Sequence, residues 1–317
     1  MNNELIKGIK TRFRAYTLGS AGSSFTYATK DEFALIEARA PNDVQKRILT
    51  EMEIFGHKYI SLLHITSWDL DHCNPSDLEW ILENLKPKKI EYPGYEPESD
   101  RSLNSLKLIK EYEKKKKNEI QVTAITPEFI NSLNPGSSYS YSNILFNPRE
   151  KFEKANDNSI VKFFRSGMFN VLSLGDVESI KIGAMLKRSS LIKEVDVLIL
   201  PHHGGNSDVL SKDLLEKIDP KLAICTSNHG NQYDHPNQNV RNLLSGLEIG
   251  LYTTKSQDVI ISSKNSHVGS YDVYDFKIDT NEVKAKQENL KPKKFINLRK
   301  YQDNRKNSFK SNIYRPS

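Results

Sequence analysis

Apolar and polar positions change period several times along the chain, and each change marks an element. Residues 11–40 read as strands at 12–18, 25–29 and 33–38 around the turn Gly19-Ser20-Ala21-Gly22-Ser23-Ser24. The apolar run 59–65 predicts a buried strand. After it, Asn74-Pro75 places a capping side chain before a proline and opens a helix over 76–85. Another helix is predicted over 100–117, ending in four lysines that read as a solvated helix end. Residues 159–164 and 168–174 flank Arg165-Ser166-Gly167 and predict a hairpin. Strands at 195–200 and 221–226 alternate with helices near 179–187, 211–218 and 238–247. Two further strands follow at 250–254 and 259–262. Strands cluster in both halves, which predicts an α/β protein with two packed sheets and outer helices.

Composition narrows the class. The 317 residues include 13 Phe, 14 Tyr and 37% hydrophobic positions, enough for a large core, and no internal repeat is evident. No apolar run approaches a membrane span, so membrane insertion is not expected. The opening residues Met-Asn-Asn-Glu-Leu-Ile-Lys hold no apolar stretch, and Cys73 and Cys225 cannot form a disulfide framework; a cytoplasmic setting is the expectation. The net charge of +6 is uneven. Residues 284–317 hold 11 basic residues against Glu288 and Asp303, leaving 35 of the 46 basic and 38 of the 40 acidic residues in 1–283. The expected division is therefore a folded domain over 1–283 and a basic, flexible tail over 284–317. That tail is either solvated or a salt-sensitive phosphate binder.

The chemistry lies where apolar strands end. The strand at 59–65 runs into Ser67-Trp68-Asp69-Leu70-Asp71-His72. The hairpin ends at Gly175-Asp176. The strand at 195–200 runs into Pro201-His202-His203-Gly204. The strand at 221–226 runs into Ser227-Asn228-His229-Gly230-Asn231-Gln232-Tyr233-Asp234-His235-Pro236. A divalent ion needs three or more oxygen or nitrogen donors from separate segments, and strand ends along one edge can supply them. The Gly19–Ser24 turn lacks the Gly-Lys-Ser/Thr ending of a nucleotide loop.

This order of motifs, with Asn156-Asp157-Asn158-Ser159 and Leu-Ser-Leu-Gly-Asp between the first and third, resembles the metallo-β-lactamase fold. The nearest branch is the hydrolase domain of ComEC-type competence proteins, over about 12–263. Ala34-Leu35-Ile36-Glu37-Ala38 also sits where that family has an apolar strand ending in an acid. The resemblance implies an αββα four-layer sandwich. It implies metal ligands drawn from Asp69, Asp71, His72, Asp157, Asp176, His202 and His235, with Asp71 orienting the attacking water and His203 or His229 near the leaving group. Either His202 or His203 would be the donor near the substrate. The cofactor implied is one or two divalent ions, Zn²⁺ or Mn²⁺ with Mg²⁺ as an alternative. The first position of the signature loop departs from the family, being Ser67 where a histidine is usual, and no histidine stands at 157. His64, three residues earlier, is the one nearby imidazole that could substitute.

The function implied is hydrolysis of a phosphodiester in DNA or RNA, with nucleic acid as partner, the basic tail adding affinity, and a further protein partner in a multi-component system. A small or cyclic nucleotide substrate is an alternative. So is a degenerate fold serving as a binding or regulatory subunit, for which Ser67 is the argument.

Overall fold

The computed structural model describes residues 9–133, 143–228, 230, 233–264 and 269–294. Its frame is two sheets laid face to face. The first has nine strands in the order β15-β14-β13-β1-β2-β3-β4-β5-β6, the second six in the order β12-β11-β10-β9-β8-β7. In chain order these are β1 (Thr11–Ala15), β2 (Phe25–Thr29), β3 (Phe33–Ile36), β4 (Leu62–His64), β5 (Lys89–Pro93), β6 (Gln121–Ile125), β7 (Asn143–Asn147) and β8 (Val161–Phe164). Then come β9 (Val171–Ser173), β10 (Val197–Ile199), β11 (Leu222–Cys225), β12 (Gly250–Thr253), β13 (Asp258–Ser263), β14 (Tyr271–Lys277) and β15 (Glu282–Leu290). The helices are α1 (Asn42–Phe55), α2 (Pro75–Asn84), α3 (Asp100–Lys115), α4 (Pro127–Ser132), α5 (Ile180–Arg188), α6 (Lys212–Ile218) and α7 (Gln238–Gly246).

Side-chain alternation builds the layers. In β1, β2 and β3 the positions Phe13, Phe25, Tyr27 and Ile36 point inward and meet Phe164, Val171, Val197 and Ile224 of the second sheet. The opposite face of the first sheet, including Phe33 and Leu35, packs under Val44, Ile48, Leu78 and Ile81 of α1 and α2. Leu172, Leu198 and Ala223 of the second sheet pack under Leu186, Leu214 and Leu244 of α5, α6 and α7. The result is helix, sheet, sheet, helix, as the sequence predicted. Each fully buried Phe, Leu or Ile side chain contributes about 1.5–3 kcal/mol.

Local signals set the element ends. The Asn74 carboxamide oxygen accepts from the Ser76 and Asp77 amides at 3.0 and 3.4 Å, fixing the start of α2. The Ser179 hydroxyl accepts from the Lys181 amide and caps α5. Helix α1 escapes a simple reading because Arg47 and Glu51 lie on its buried face. There they join Arg14 and Asp258 in an ion-pair network.

The expected boundary at 283/284 falls inside β15, which pairs antiparallel with β14. Residues 284–294 are thus part of the folded unit and not a flexible tail. Lys293 and Lys294 are buried, with their ammonium groups donating to the carbonyls of Ile218 and Gly167, each at 2.6 Å. The carbonyls and the nearby Asp196 replace the water those charges lose. Residues 295–317 lie outside the described residues. Among the described residues no helix is long and apolar enough to cross a membrane.

Candidate metal centre

Parallel strands β4, β9, β10 and β11 end on one side of the sandwich, and the loops that follow them converge there. A cavity of about 210 Å³ lies between these loops, lined by Asp69, Asp71, Asp176, His202, His203 and His235 among others. The loop 19–24 closes one wall. The Ser23 amide donates to the Asp71 carbonyl at 2.9 Å. Gly22 has φ +133°, and a Cβ there would stand 2.7 Å from that carbonyl, so only glycine lets the two loops approach. Arg39 ties the same loops together, donating to the carbonyls of Ala21 and Leu70 at 2.8 and 3.0 Å.

Asp71, His72 and His203 each offer a ligand atom within 4.8 Å of the others. Both imidazoles are held from behind. His203 Nδ1 donates to the Thr226 carbonyl at 3.1 Å and lies 3.2 Å from the Ser23 hydroxyl. A carbonyl can only accept, so the proton of the neutral ring sits on Nδ1 and the lone pair on Nε2. His72 Nδ1 lies 3.2 Å from Thr66 Oγ1 and 3.2 Å from Glu37 Oε1. The Thr66 hydroxyl proton is already given to Glu37 at 2.6 Å, so Nδ1 is again the donor. These are the supports that a metal-ligating histidine needs to fix its tautomer.

The two Nε2 atoms then face carboxylates: His72 stands 2.8 Å from Asp176 Oδ2 and His203 stands 2.9 Å from Asp71 Oδ2. Neither Nε2 makes a hydrogen bond, and Asp176 Oδ1 is likewise buried without one. Lone pairs pressed against carboxylate oxygens repel unless a cation lies among them. This donor set, two nitrogens and the Asp71 carboxylate, suits Zn²⁺ or Mn²⁺, with Asp176 standing beside His72. Without a metal ion, a proton serves as that cation. Burial works against a charged His72, yet Asp176 and Glu37 outweigh it and push its proton affinity well above the ordinary histidine range. Burial likewise opposes ionisation of Asp71, but His203 and His72 hold its carboxyl well below the usual range.

The other expected residues are placed differently. Asp69 lines the cavity but stands outside this cluster; it accepts from the Ser67 hydroxyl at 3.0 Å. Burial, then Asp176, pushes the Asp69 carboxyl upward. Asp157 is turned away: its Oδ1 accepts the Glu178 and Ser179 amides at 2.8 Å each, securing the turn into α5. His202 lines the cavity with Nδ1 2.5 Å from Glu178 Oε1. His235 lines it too, its ring stacked on Tyr233 at 5.6 Å. His202 and His203 both have positive φ, +47° and +52°, a strained pair of the kind that clusters at functional sites. His229 lies outside the described residues.

His64 does not substitute for the missing histidine at 67. It is fully buried, with Nδ1 on Glu91 at 2.8 Å. The first signature position is instead occupied by a polar closure: Ser67 Oγ lies 3.3 Å from the Tyr95 hydroxyl, which also accepts the Trp68 amide at 3.2 Å. Trp68 itself is 2% exposed and packs on Tyr92, so it supports the loop from below. Sequence reasoning missed Thr66, Ser23, Thr226, Tyr95 and Glu178. Small hydroxyl residues at strand ends carry no spacing signal, and each acts through another residue.

No family model matches the sequence. It is 23% identical over 240 residues to ComE operon protein 3 of Bacillus subtilis, a match covering 73% of this chain. The chain spans only 28% of that relative's length. Among solved structures, the metallo-β-lactamase fold protein YhfI of Bacillus subtilis matches 77% of this chain and 97% of its own, at 11% identity and a TM-score of 0.45. Igni18, a metallo hydrolase of the archaeon Ignicoccus hospitalis, matches 78% and 98%, at 11% identity and a TM-score of 0.46. With its four layers and with the loops carrying the expected motifs gathered on one side of the sandwich, the chain is an αββα sandwich that resembles the metallo-β-lactamase fold, and its sequence is similar to that of ComE operon protein 3.

Proposed function

We propose that the chain is a metal-dependent phosphodiesterase acting on nucleic acid, with one divalent ion held by Asp71, His72 and His203 and with Asp176 beside it against His72. The observation that carries this reading is the pair of histidines whose Nδ1 atoms are pinned by Thr226 and by Glu37 with Thr66, leaving both Nε2 atoms turned on carboxylates. A scaffold has no use for so specific an arrangement. Activity on nucleic acid follows from the resemblance to the ComEC-type branch and from the basic character of the C-terminal segment.

A single ion is favoured over two by the first position. Ser67, Asp69 and Tyr95 are joined by hydrogen bonds, and Asp157 is committed to the α5 turn, so Asp69 alone remains of the oxygen donors expected there.

When bound, such an ion lowers the pKa of water towards 7 and supplies hydroxide at neutral pH. The chain's own residues do the rest. Thr226 and Glu37 keep the imidazole protons on Nδ1, so the Nε2 atoms stay available. Asp69, steadied by Ser67, offers its second carboxylate oxygen to position the attacking water. His202, fixed through Nδ1 by Glu178, presents Nε2 to an oxygen of the phosphoryl group or leaving group.

The test is cleavage of single- and double-stranded DNA and of RNA by purified protein with Mn²⁺, Zn²⁺, Mg²⁺ or EDTA, beside Asp71→Asn. Metal-dependent cleavage that the variant loses is the expected result. A folded, metal-loaded protein inert on all three substrates would remove the nucleic-acid reading.

A further inference from the structure

A second cavity, of about 370 Å³, runs between α5 and the segment 147–152. Its lining carries three cations, Arg149, Lys181 and Arg188, against one carboxylate, Glu150. All three cations are solvent-exposed, and among the described residues none has a carboxylate within ion-pair distance. Neighbouring lysines do: Lys154 stands 3.6 Å from Glu178 and Lys187 stands 3.8 Å from Asp213. Like charges gathered on one rim raise the local potential and favour an anion that can bridge them.

Two segments, α5 and residues 147–158, connect the rim to the metal centre. Lys181 and Arg188 are seven residues apart on α5, two turns, so they share a face about 10 Å apart along the axis. Ala184 and Met185 lie between them on the same cavity wall and leave the groove shallow and apolar at its floor. Glu178, just before α5, holds His202 of the metal cavity, and Arg188 lies about 12 Å along the helix from its first residue, Ile180. The opposite wall is equally fixed. Asn158 bonds the Phe152 amide and carbonyl at 2.9 Å each, and the Asn156 carboxamide donates to Glu178 at 3.0 Å. The same segment thus lines the metal cavity at one end, through Asn156, and the cationic groove at the other.

We infer that this groove is a binding subsite for the phosphates of a nucleic-acid single strand whose reacting phosphodiester lies at the metal cavity. The inference rests on the phosphodiesterase reading for the second half of that sentence only. A hollow of this size takes a stretch of extended strand, whereas a duplex could only lie across its rim. The apolar floor, with Phe152, suits the sugar and base faces between phosphates.

The test measures binding and chemistry separately. Fluorescence anisotropy of a labelled single-stranded oligonucleotide in EDTA is compared for the full chain and for the triple variant Arg149→Glu, Lys181→Glu, Arg188→Glu, with Lys181→Gln, Arg188→Gln as a milder pair. Hydrolysis of bis(p-nitrophenyl) phosphate with Mn²⁺, a diester too small to reach the groove, reports the metal centre. The expected result is at least a tenfold loss of strand affinity in the triple variant and a salt dependence shallower by about two counterions. The small diester should turn over at the original rate. Unchanged affinity and salt dependence in a triple variant that still hydrolyses the small diester would overturn the subsite. So would inorganic phosphate competing as well as an oligonucleotide at equal phosphate, since a strand path must prefer linked phosphates. If no metal supports hydrolysis of the small diester, the phosphodiesterase reading fails while anisotropy still decides the groove.

Discussion

His72 Nε2 stands 2.8 Å from Asp176 Oδ2 without forming a hydrogen bond, although the ring's other nitrogen is fully engaged. The imidazole is therefore aimed at an oxygen with which it can share a metal ion or, without one, a proton. The first prediction is metal content. After loading with Zn²⁺ or Mn²⁺ and desalting, mass spectrometry for metals should count about one ion per chain, and His72→Ala or Asp176→Asn should hold far less. Two ions per chain would refute the closure of the first position by Ser67, Asp69 and Tyr95. Loading should also raise the melting temperature, since an ion at 100 times its Kd adds about 2.7 kcal/mol to stability.

Glu37 tests the support behind that ring. Its carboxylate takes the Thr66 hydroxyl at 2.6 Å and faces His72 Nδ1 at 3.2 Å, so it never needs to touch an ion. Glu37→Gln should weaken metal affinity about 10–100-fold, the usual effect of removing such a partner. A competition titration against a coloured chelator reads this directly. Unchanged affinity would mean that Thr66 alone orients the ring.

How far the sequence could lead is clearest at particular residues. Asp71, His72 and Asp176 were legible because each follows an apolar strand, and a strand end fixes where a side chain emerges. Asp157 was legible as a polar group near the site but not as an N-terminal clasp for α5, because the backbone amides that donate to it leave no sequence mark. His64 sat at a tempting distance from Ser67, yet strand alternation sends it into the interior against Glu91. Strand β15 was hidden by its composition: lysines and glutamates on an exposed edge strand read as tail, and only pairing with β14 makes them a strand. The cationic groove was invisible because Arg149 and α5 meet only in the fold.

The interior holds a charged bridge between the sheets. Lys162 of β8 donates to Glu91 of β5 at 2.7 Å, both are fully buried, and His64 shares the same carboxylate oxygen. Lys162→Met should cost about 3–5 kcal/mol by leaving a buried carboxylate short of its main counter-charge. Adding Glu91→Leu to that variant should recover a large part of the loss, because the remaining groups no longer face an uncompensated charge. Urea denaturation of the wild type, both single variants and the double variant measures the coupling. Additive losses would mean that the two residues act independently.

Asp196 gives the molecule a stability that falls as pH rises. Its carboxyl is completely buried and accepts backbone amides from Asn170 and Lys293 at 2.9 Å each. Burial pushes its pKa from 3.8 to about 6, the amides and the two lysines offsetting only part of the effect. The folded chain therefore holds this proton more tightly than the unfolded chain. Between these two values the native state binds more protons, so the stability contributed by Asp196 is complete below about pH 4 and is lost as pH rises through 6. A shift of about two pH units corresponds to about 3 kcal/mol. Asp196→Asn cannot titrate, so the stability difference between wild type and variant should move by that order against the wild type from pH 4 to pH 7. Denaturant melts at half-unit pH steps measure it. A difference that stayed flat, or moved in favour of the wild type, would show that Lys293 and Lys294 keep Asp196 ionised throughout and that the C-terminal segment is held as an ion pair.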